Sequence, residues 1–201
     1  MNKIFSSVEK FILASGSPRR RDFLEGLGIA FEVLAAEVDE SPFPDEIPEV
    51  FVRRLAEEKA RAVSGQDGQA WVLGADTVVA IEGKMLGKPE SATDACRMLE
   101  CLNGRWHEVW TGFCLCHGDK VISRTRAVRT EVLFGNYPME VLKAYVASGE
   151  PLDKAGAYGI QALGGFLVKE VKGSYSNVVG LPLAEVVNEL ISLGIIRPHG
   201  G

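Results

Sequence analysis

Short apolar runs along this chain alternate with stretches whose apolar positions recur at helical spacing, so strands and helices alternate from end to end. The run 11–14 predicts a first strand and 18–27 a helix, with Gly28 as its C-terminal glycine. A second strand is predicted over 31–35, followed by an acidic, proline-rich loop over 37–48. The segment 49–64 predicts a helix with Val52, Leu55, Ala56, Lys59, Ala60 and Val63 on one stripe. A short buried strand over 71–75 precedes a hairpin of 77–81 and 84–86 around Glu82-Gly83. A helix over 91–102 ends at Gly104, and two long strands, 107–117 and 120–133, meet at a Gly118-Asp119 turn. A helix over 138–147, a glycine-rich irregular segment over 152–165, a strand over 166–171 and a closing helix over 182–193 follow.

Because the long central hairpin is antiparallel, this order predicts an α/β fold with a mixed twisted sheet and flanking helices. The 201 residues show no internal repeat and no dividing linker, so one domain is expected over 1–201. The composition, 46% hydrophobic and 24% charged, suffices for a core without disulfide or metal staples. A net charge of −5 argues against a nucleic-acid or membrane-surface binder, yet leaves room for a small anionic ligand met by a local basic cluster. No apolar run reaches the ~18 residues of a membrane span. Residues 1–10 lack the apolar core and cleavage site of a signal peptide, and a cytoplasmic protein is expected. Cys96, Cys101, Cys114 and Cys116 lack zinc-finger spacing and read as structural thiols.

The run Phe11-Ile12-Leu13-Ala14-Ser15-Gly16-Ser17-Pro18-Arg19-Arg20-Arg21 carries the first chemical signal. Ser17 suits an N-cap and Pro18 the first helical position, so free N–H groups, a positive dipole end and three guanidinium groups coincide. Cations at a helix N-terminus oppose the dipole, and a bound polyanion would relieve that conflict. A solvated basic helix face is the alternative. Asp76, at the end of the apolar run 71–75, sits where α/β proteins place ligands and is a candidate general base or metal ligand; a local turn is the other reading. Glu40, in the cluster Glu37-Val38-Asp39-Glu40, could join Asp76 around Mg²⁺ or Mn²⁺, or belong to a solvated loop.

Lys59 has an aliphatic neighbourhood, and Lys88 lies in a turn, Leu86-Gly87-Lys88-Pro89, from which a lysine could reach a phosphate. His107 suits a structural or substrate-lining role better than a catalytic one. Neither a P-loop nor a Rossmann glycine pattern follows the first strand, and no nucleophile with a partner base is visible. The segment 150–161 has glycines that let a backbone approach a ligand closely, and Gln161 carries both a donor and an acceptor, as reading a nucleobase edge requires.

Taken in order, these pieces resemble the Maf family of nucleotide pyrophosphatases. The matching stretches are Leu13 to Arg20, Val38-Asp39-Glu40, Glu58-Lys59-Ala60, Gly74-Ala75-Asp76-Thr77-Val78-Val79, Gly87-Lys88-Pro89, His107-Glu108-Val109 with Thr111-Gly112, Asp153 to Gln161, Gly173-Ser174-Tyr175, and Asn177 to Pro182. The resemblance implies a fold of two lobes around a cleft, like that of inosine triphosphatases, often assembled as a homodimer. It implies cleavage of nucleoside triphosphates to the monophosphate and pyrophosphate with a divalent cation. It assigns Asp76 as proton acceptor and Glu40 as a metal-linked carboxylate. Ser15, Ser17, Arg19, Arg20, Lys59 and Lys88 fall on the phosphate site. Arg20, Thr77 and Gln161 match the branch acting on dTTP and UTP; the 7-methyl-GTP branch carries tryptophan before the shared arginine, glutamine after the aspartate, and glutamate for Gln161. Arg21 has no matching role and reads as solvated. The family's link to septum formation leaves a non-catalytic nucleotide-binding regulator of cell division as the rival function.

Overall fold

Central strands buried on both faces organise the structure. The computed structural model describes residues 4–66, 68–118 and 122–200, and the chain divides into two compact units. The first comprises Met1–Asp76, Thr111–Ala127 and Gly180–Gly201; the second comprises Thr77–Trp110 and Val128–Val179. In chain order the elements are β1 (Phe5–Ser7), β2 (Phe11–Leu13), α1 (Pro18–Gly26), β3 (Glu32–Val33), α2 (Pro48–Ser64), β4 (Trp71–Ile81), β5 (Lys84–Leu86) and α3 (Ala92–Leu102). Then come β6 (Trp106–His117), β7 (Ile122–Phe134), α4 (Met139–Ala147), β8 (Val168–Lys172), α5 (Tyr175–Val179), α6 (Leu183–Ser192) and β9 (Ile196–Pro198). The main sheet has the order β3-β2-β4-β6-β7-β8, with β5 on β4, and β1 pairs separately with β9. The sheet is mixed, as expected: β2 pairs in parallel with β3 and β4, whereas β4–β5 and β7–β8 are antiparallel.

In the first unit, side chains alternate between two cores. Phe11, Leu13, Trp71, Leu73, Ala75, Phe113 and Leu115 join Leu24 of α1 and Val186 and Leu190 of α6. The intervening residues Ile12, Ala14, Val72, Cys114 and Cys116 face Ala56, Ala60 and Val63 of α2. That period-two division is what a sheet covered on both faces requires. All six residues of the predicted α2 stripe are buried. In the second unit, Ala95, Met98, Leu99 and Leu102 of α3 share a core with Leu142, Tyr145 and Val146 of α4 and with Val79, Val109, Val132 and Phe134 of the sheet.

Two expectations are corrected. Residues 71–75 and 77–81 are one continuous strand, so Asp76 lies within β4 rather than at its end. An aspartate is a poor strand residue, but here a long-range cation holds it. The expected strand 31–35 shrinks to Glu32–Val33, both exposed and last in the sheet order, because an outermost strand has one neighbour and little burial to sustain it. β1, β9 and α5, each of three to five residues, lie where the sequence predicts no element. The expected turn at Gly118-Asp119 extends outside the described residues.

Candidate active site

Alternation along β4 puts Val72, Gly74 and Asp76 on the face that meets α2. At Gly74 the helix lies against the strand backbone: a Cβ there would stand 2.2 Å from Ala56 O and 2.7 Å from Ala60 N. Gly112 of β6 does the same toward the N-terminal half of α2, where a Cβ would meet Val52 O at 2.1 Å. These two glycines let α2 sink onto the sheet and bring Lys59 down to the strand. Its Nζ donates to Asp76 Oδ1 at 2.6 Å and pairs with Glu40 Oε1 at 2.5 Å. Lys59 and Asp76 are buried, whereas the Glu40 side chain is about half exposed. Two sequence-predicted carboxylates, one from a loop and one from a strand, thus converge on the ammonium group of a third predicted residue on a helix.

Glu40 is positioned by a residue that sequence reasoning missed. Arg54 of α2 donates through Nε and Nη2 to the two oxygens of Glu46, at 2.7 and 2.8 Å, and through Nη2 to Ser41 O. Its guanidinium also stacks over the Phe43 ring at 4.0 Å. The hydrogen bonds to Glu46 raise the Arg54 pKa, and the Arg54 bond holds Glu46 below the ordinary carboxylate range. This staple ties the loop after Glu40 to the helix that carries Lys59. Nothing local in the sequence separates Arg54 from Arg53, which is half exposed beside Glu49.

The arginine run divides by helical facing. Arg20 and Leu24, one turn apart, are the buried residues of α1. Arg20 Nε donates to Gly180 O at 2.8 Å, and its Nη1 donates to Ala75 O at 2.8 Å and Ser15 Oγ at 2.9 Å. Burial lowers its pKa, the Asp76 and Glu40 charges opposing that shift and the Arg19 charge adding to it. The dipole conflict expected for this cation is therefore eased within the protein by carbonyl groups. Ser17 does occupy the N-cap with Pro18 following, but its side chain makes no capping bond; its N–H donates to Ser15 Oγ at 3.3 Å. Arg19 is half-buried, and Arg21 is exposed beside Asp22 and Glu25, each at 3.8 Å.

The remaining candidates belong to the second unit. Thr77 follows Asp76 on β4 and is half-buried; Lys88 is exposed in the turn after β5. His107 is buried, with Nε2 2.9 Å from the Tyr158 hydroxyl and its ring edge-on to Phe134. Burial drives its pKa down to about 4, so the packed imidazole is neutral. Gln161 is exposed at the middle of the turn between Gly159 and Gly164. Glu150 meets that turn: its Oε1 accepts from Tyr145 Oη at 2.9 Å and Gly164 N at 3.0 Å, and its Oε2 accepts from Leu163 N at 2.9 Å. Burial alone would raise the Glu150 carboxyl, but these bonds and the Lys154 charge bring it below its ordinary value.

The family model of Maf-like proteins matches residues 10–193. A dTTP/UTP pyrophosphatase of Syntrophus aciditrophicus is 50% identical over 193 residues, covering 96% of this chain and 94% of its own. One of Desulfotalea psychrophila is 49% identical over 193 residues, covering 96% and 99%. Among solved structures, the Staphylococcus aureus Ham1 protein aligns with a TM-score of 0.46 and 13% identity over 63% of this chain and 72% of that one.

Proposed function

The chain belongs to the Maf-like protein family, and we propose that it hydrolyses dTTP, UTP and related or modified pyrimidine nucleoside triphosphates to the nucleoside monophosphate and pyrophosphate. The observation that carries this is the convergence of Glu40 and Asp76 on Lys59. A mere nucleotide-binding module has no need of two carboxylates gathered where a polyanion would sit. Similarity to relatives named dTTP/UTP pyrophosphatase supports the substrate class.

In this mechanism Asp76 accepts a proton from, or orients, the water that attacks the α-phosphate. Lys59 fixes the Asp76 carboxylate and keeps Glu40 alongside it. Arg19, Lys88 and the Ser15–Ser17 turn meet phosphate oxygens, where charge builds in the transition state. Arg20 contributes through the backbone it holds, since Nε and Nη1 are committed to Gly180, Ser15 and Ala75. With Thr77 and Gln161 it sets the base preference. A divalent cation, Mg²⁺ or Mn²⁺, fits the donors: hard cations take one or two carboxylates plus substrate phosphates, and Glu40 and Asp76 offer two convergent carboxylates. Bound there it would supply neutralisation of the triphosphate charge.

Residues 1–201 act as one enzyme domain on this proposal, since each compact unit is built from separated stretches of chain and the family model spans both. The enzyme is proposed to be a cytoplasmic homodimer, with neither nucleic acid nor membrane as partner. The net charge of −5 argues against a nucleic-acid or membrane-surface partner. Among the described residues no helix is long and apolar enough to cross a membrane.

The test is incubation with dTTP, UTP, CTP and 7-methyl-GTP and Mg²⁺ or Mn²⁺. Pyrophosphate release from the pyrimidine nucleotides is expected; orthophosphate release, or binding without turnover as in a cell-division regulator, would overturn the proposal. Asp76→Asn is expected to lower kcat by roughly 10²–10⁴-fold while nucleotide binding persists. Wild-type turnover in that variant would remove Asp76 from its role.

A further inference from the structure

Gln161 is exposed, yet the turn that carries it is held at both ends. At the start, Gly159 N–H donates to Tyr145 Oη at 3.2 Å. At the far end, Leu163 N–H and Gly164 N–H donate to the two oxygens of Glu150 at 2.9 and 3.0 Å. Tyr145 Oη donates to Glu150 Oε1 at 2.9 Å and so joins the two ends through one phenol and one carboxylate. Tyr145 is itself fixed in the second unit's core. Lys154 Nζ, donating to Glu150 O and Asp153 Oδ1 at 2.6 Å each, secures the backbone of Glu150. Approach is so close at Gly164 that a Cβ would stand 2.4 Å from Tyr145 Oη and 2.8 Å from Gly159 O.

A structural role alone would call for little of this. Within the turn Ala162 is exposed and Leu163 is 63% exposed, so apolar packing supplies little of what holds it. What the bonds fix is the backbone on either side of one exposed amide side chain. An amide that must present its donor and acceptor to a matching edge loses affinity when its backbone wanders, because ordering it on binding then opposes association.

We propose that Glu150 and Tyr145 are positioning residues for base recognition, clamping the 159–164 turn so that Gln161 is preorganised toward a pyrimidine edge. This rests on Gln161 reading the base, as set out above. The carboxylate is required chemically. Glu150 accepts three bonds and donates none, whereas a glutamine has one acceptor oxygen and would turn an N–H toward another donor. Glu150→Gln therefore keeps size and shape but breaks the clamp.

The test compares Glu150→Gln, Tyr145→Phe, Gln161→Ala and the Glu150→Gln/Gln161→Ala double variant with the wild type. Steady-state kinetics on dTTP, UTP and dGTP are read beside melting temperatures. Glu150→Gln and Tyr145→Phe are expected to raise KM for dTTP and UTP by roughly 5–20-fold, with kcat within about twofold, and to narrow the preference over dGTP. The double variant is expected to discriminate no worse than Gln161→Ala alone, since the clamp acts only through that residue. Should Glu150→Gln prove unstable, Tyr145→Phe carries the same comparison. Unchanged pyrimidine preference in both clamp variants, with Gln161→Ala still losing it, would overturn the clamp alone. Unchanged preference in Gln161→Ala would overturn the reading of Gln161 as the base-contacting residue and the clamp with it; no turnover by the wild type would overturn the proposed function as well.

Discussion

Gly74→Ala is expected to damage catalysis without touching a catalytic side chain. The added methyl would stand 2.2 Å from Ala56 O, against ordinary contact from about 3.4 Å, so α2 must withdraw from β4 by about 1.2 Å. Lys59 immediately precedes Ala60, the other residue struck, and moves with the helix. Its 2.6 Å bond to Asp76 would open toward about 3.8 Å, beyond the range of a hydrogen bond. A displacement near 1 Å at a catalytic group is worth on the order of a 10²-fold loss of kcat. Overpacking costs about 1–3 kcal/mol, and each kcal/mol lowers Tm by about 2–4 °C for a chain of this size. Pyrophosphate release from dTTP and a thermal melt, measured on the same preparation, check both figures. Gly112→Ala is the control: its Cβ would stand 2.1 Å from Val52 O, and Val52 precedes Lys59 by seven residues, about 10 Å along the helix. It should lose similar stability and much less activity. A folded Gly74→Ala with wild-type kcat would refute the reasoning, as would equal loss of activity in both variants.

His107 makes stability sensitive to acid. Burial holds its pKa at about 4 against an ordinary 6.5, so between those values the unfolded chain binds a proton that the folded protein refuses. Stability is then lost as pH falls from 6.5 toward 4, by about 3 kcal/mol in all. His107→Gln should flatten the fall of Tm across that window, and an unchanged slope would exclude His107 as its source. Arg20→Lys replaces a planar fork by a point donor and leaves at least one of the Gly180, Ala75 and Ser15 acceptors unmatched. A loss of about 1–3 kcal/mol is expected in chemical denaturation; an unshifted midpoint would show that these bonds contribute nothing net.

What the sequence made legible was whatever repeats locally. The α2 stripe and the helix over 91–102 carry a period, and the structure places them within a residue or two of expectation. The local preference of aspartate for turns puts Asp76 at a strand end; Lys59, seventeen residues away, makes it tolerable inside β4. β1 and β9 pair Phe5 with Pro198, and three-residue strands so distant in the chain have no periodic signature. The same distinction separates the candidate residues from what positions them. Glu40, Lys59 and Asp76 could be named from residue type and motif, because their chemistry is in the side chain. Arg20 acts on the carbonyls of Ala75 and Gly180, and Glu150 on the N–H groups of Leu163 and Gly164. Every residue but proline offers the same backbone N–H and every residue the same C=O, so partners of that kind are invisible until the fold brings them within 3 Å. Positioning residues are thus the part of this site that structure had to supply, and the clamp around Gln161 is where substitution can separate holding a group from being one.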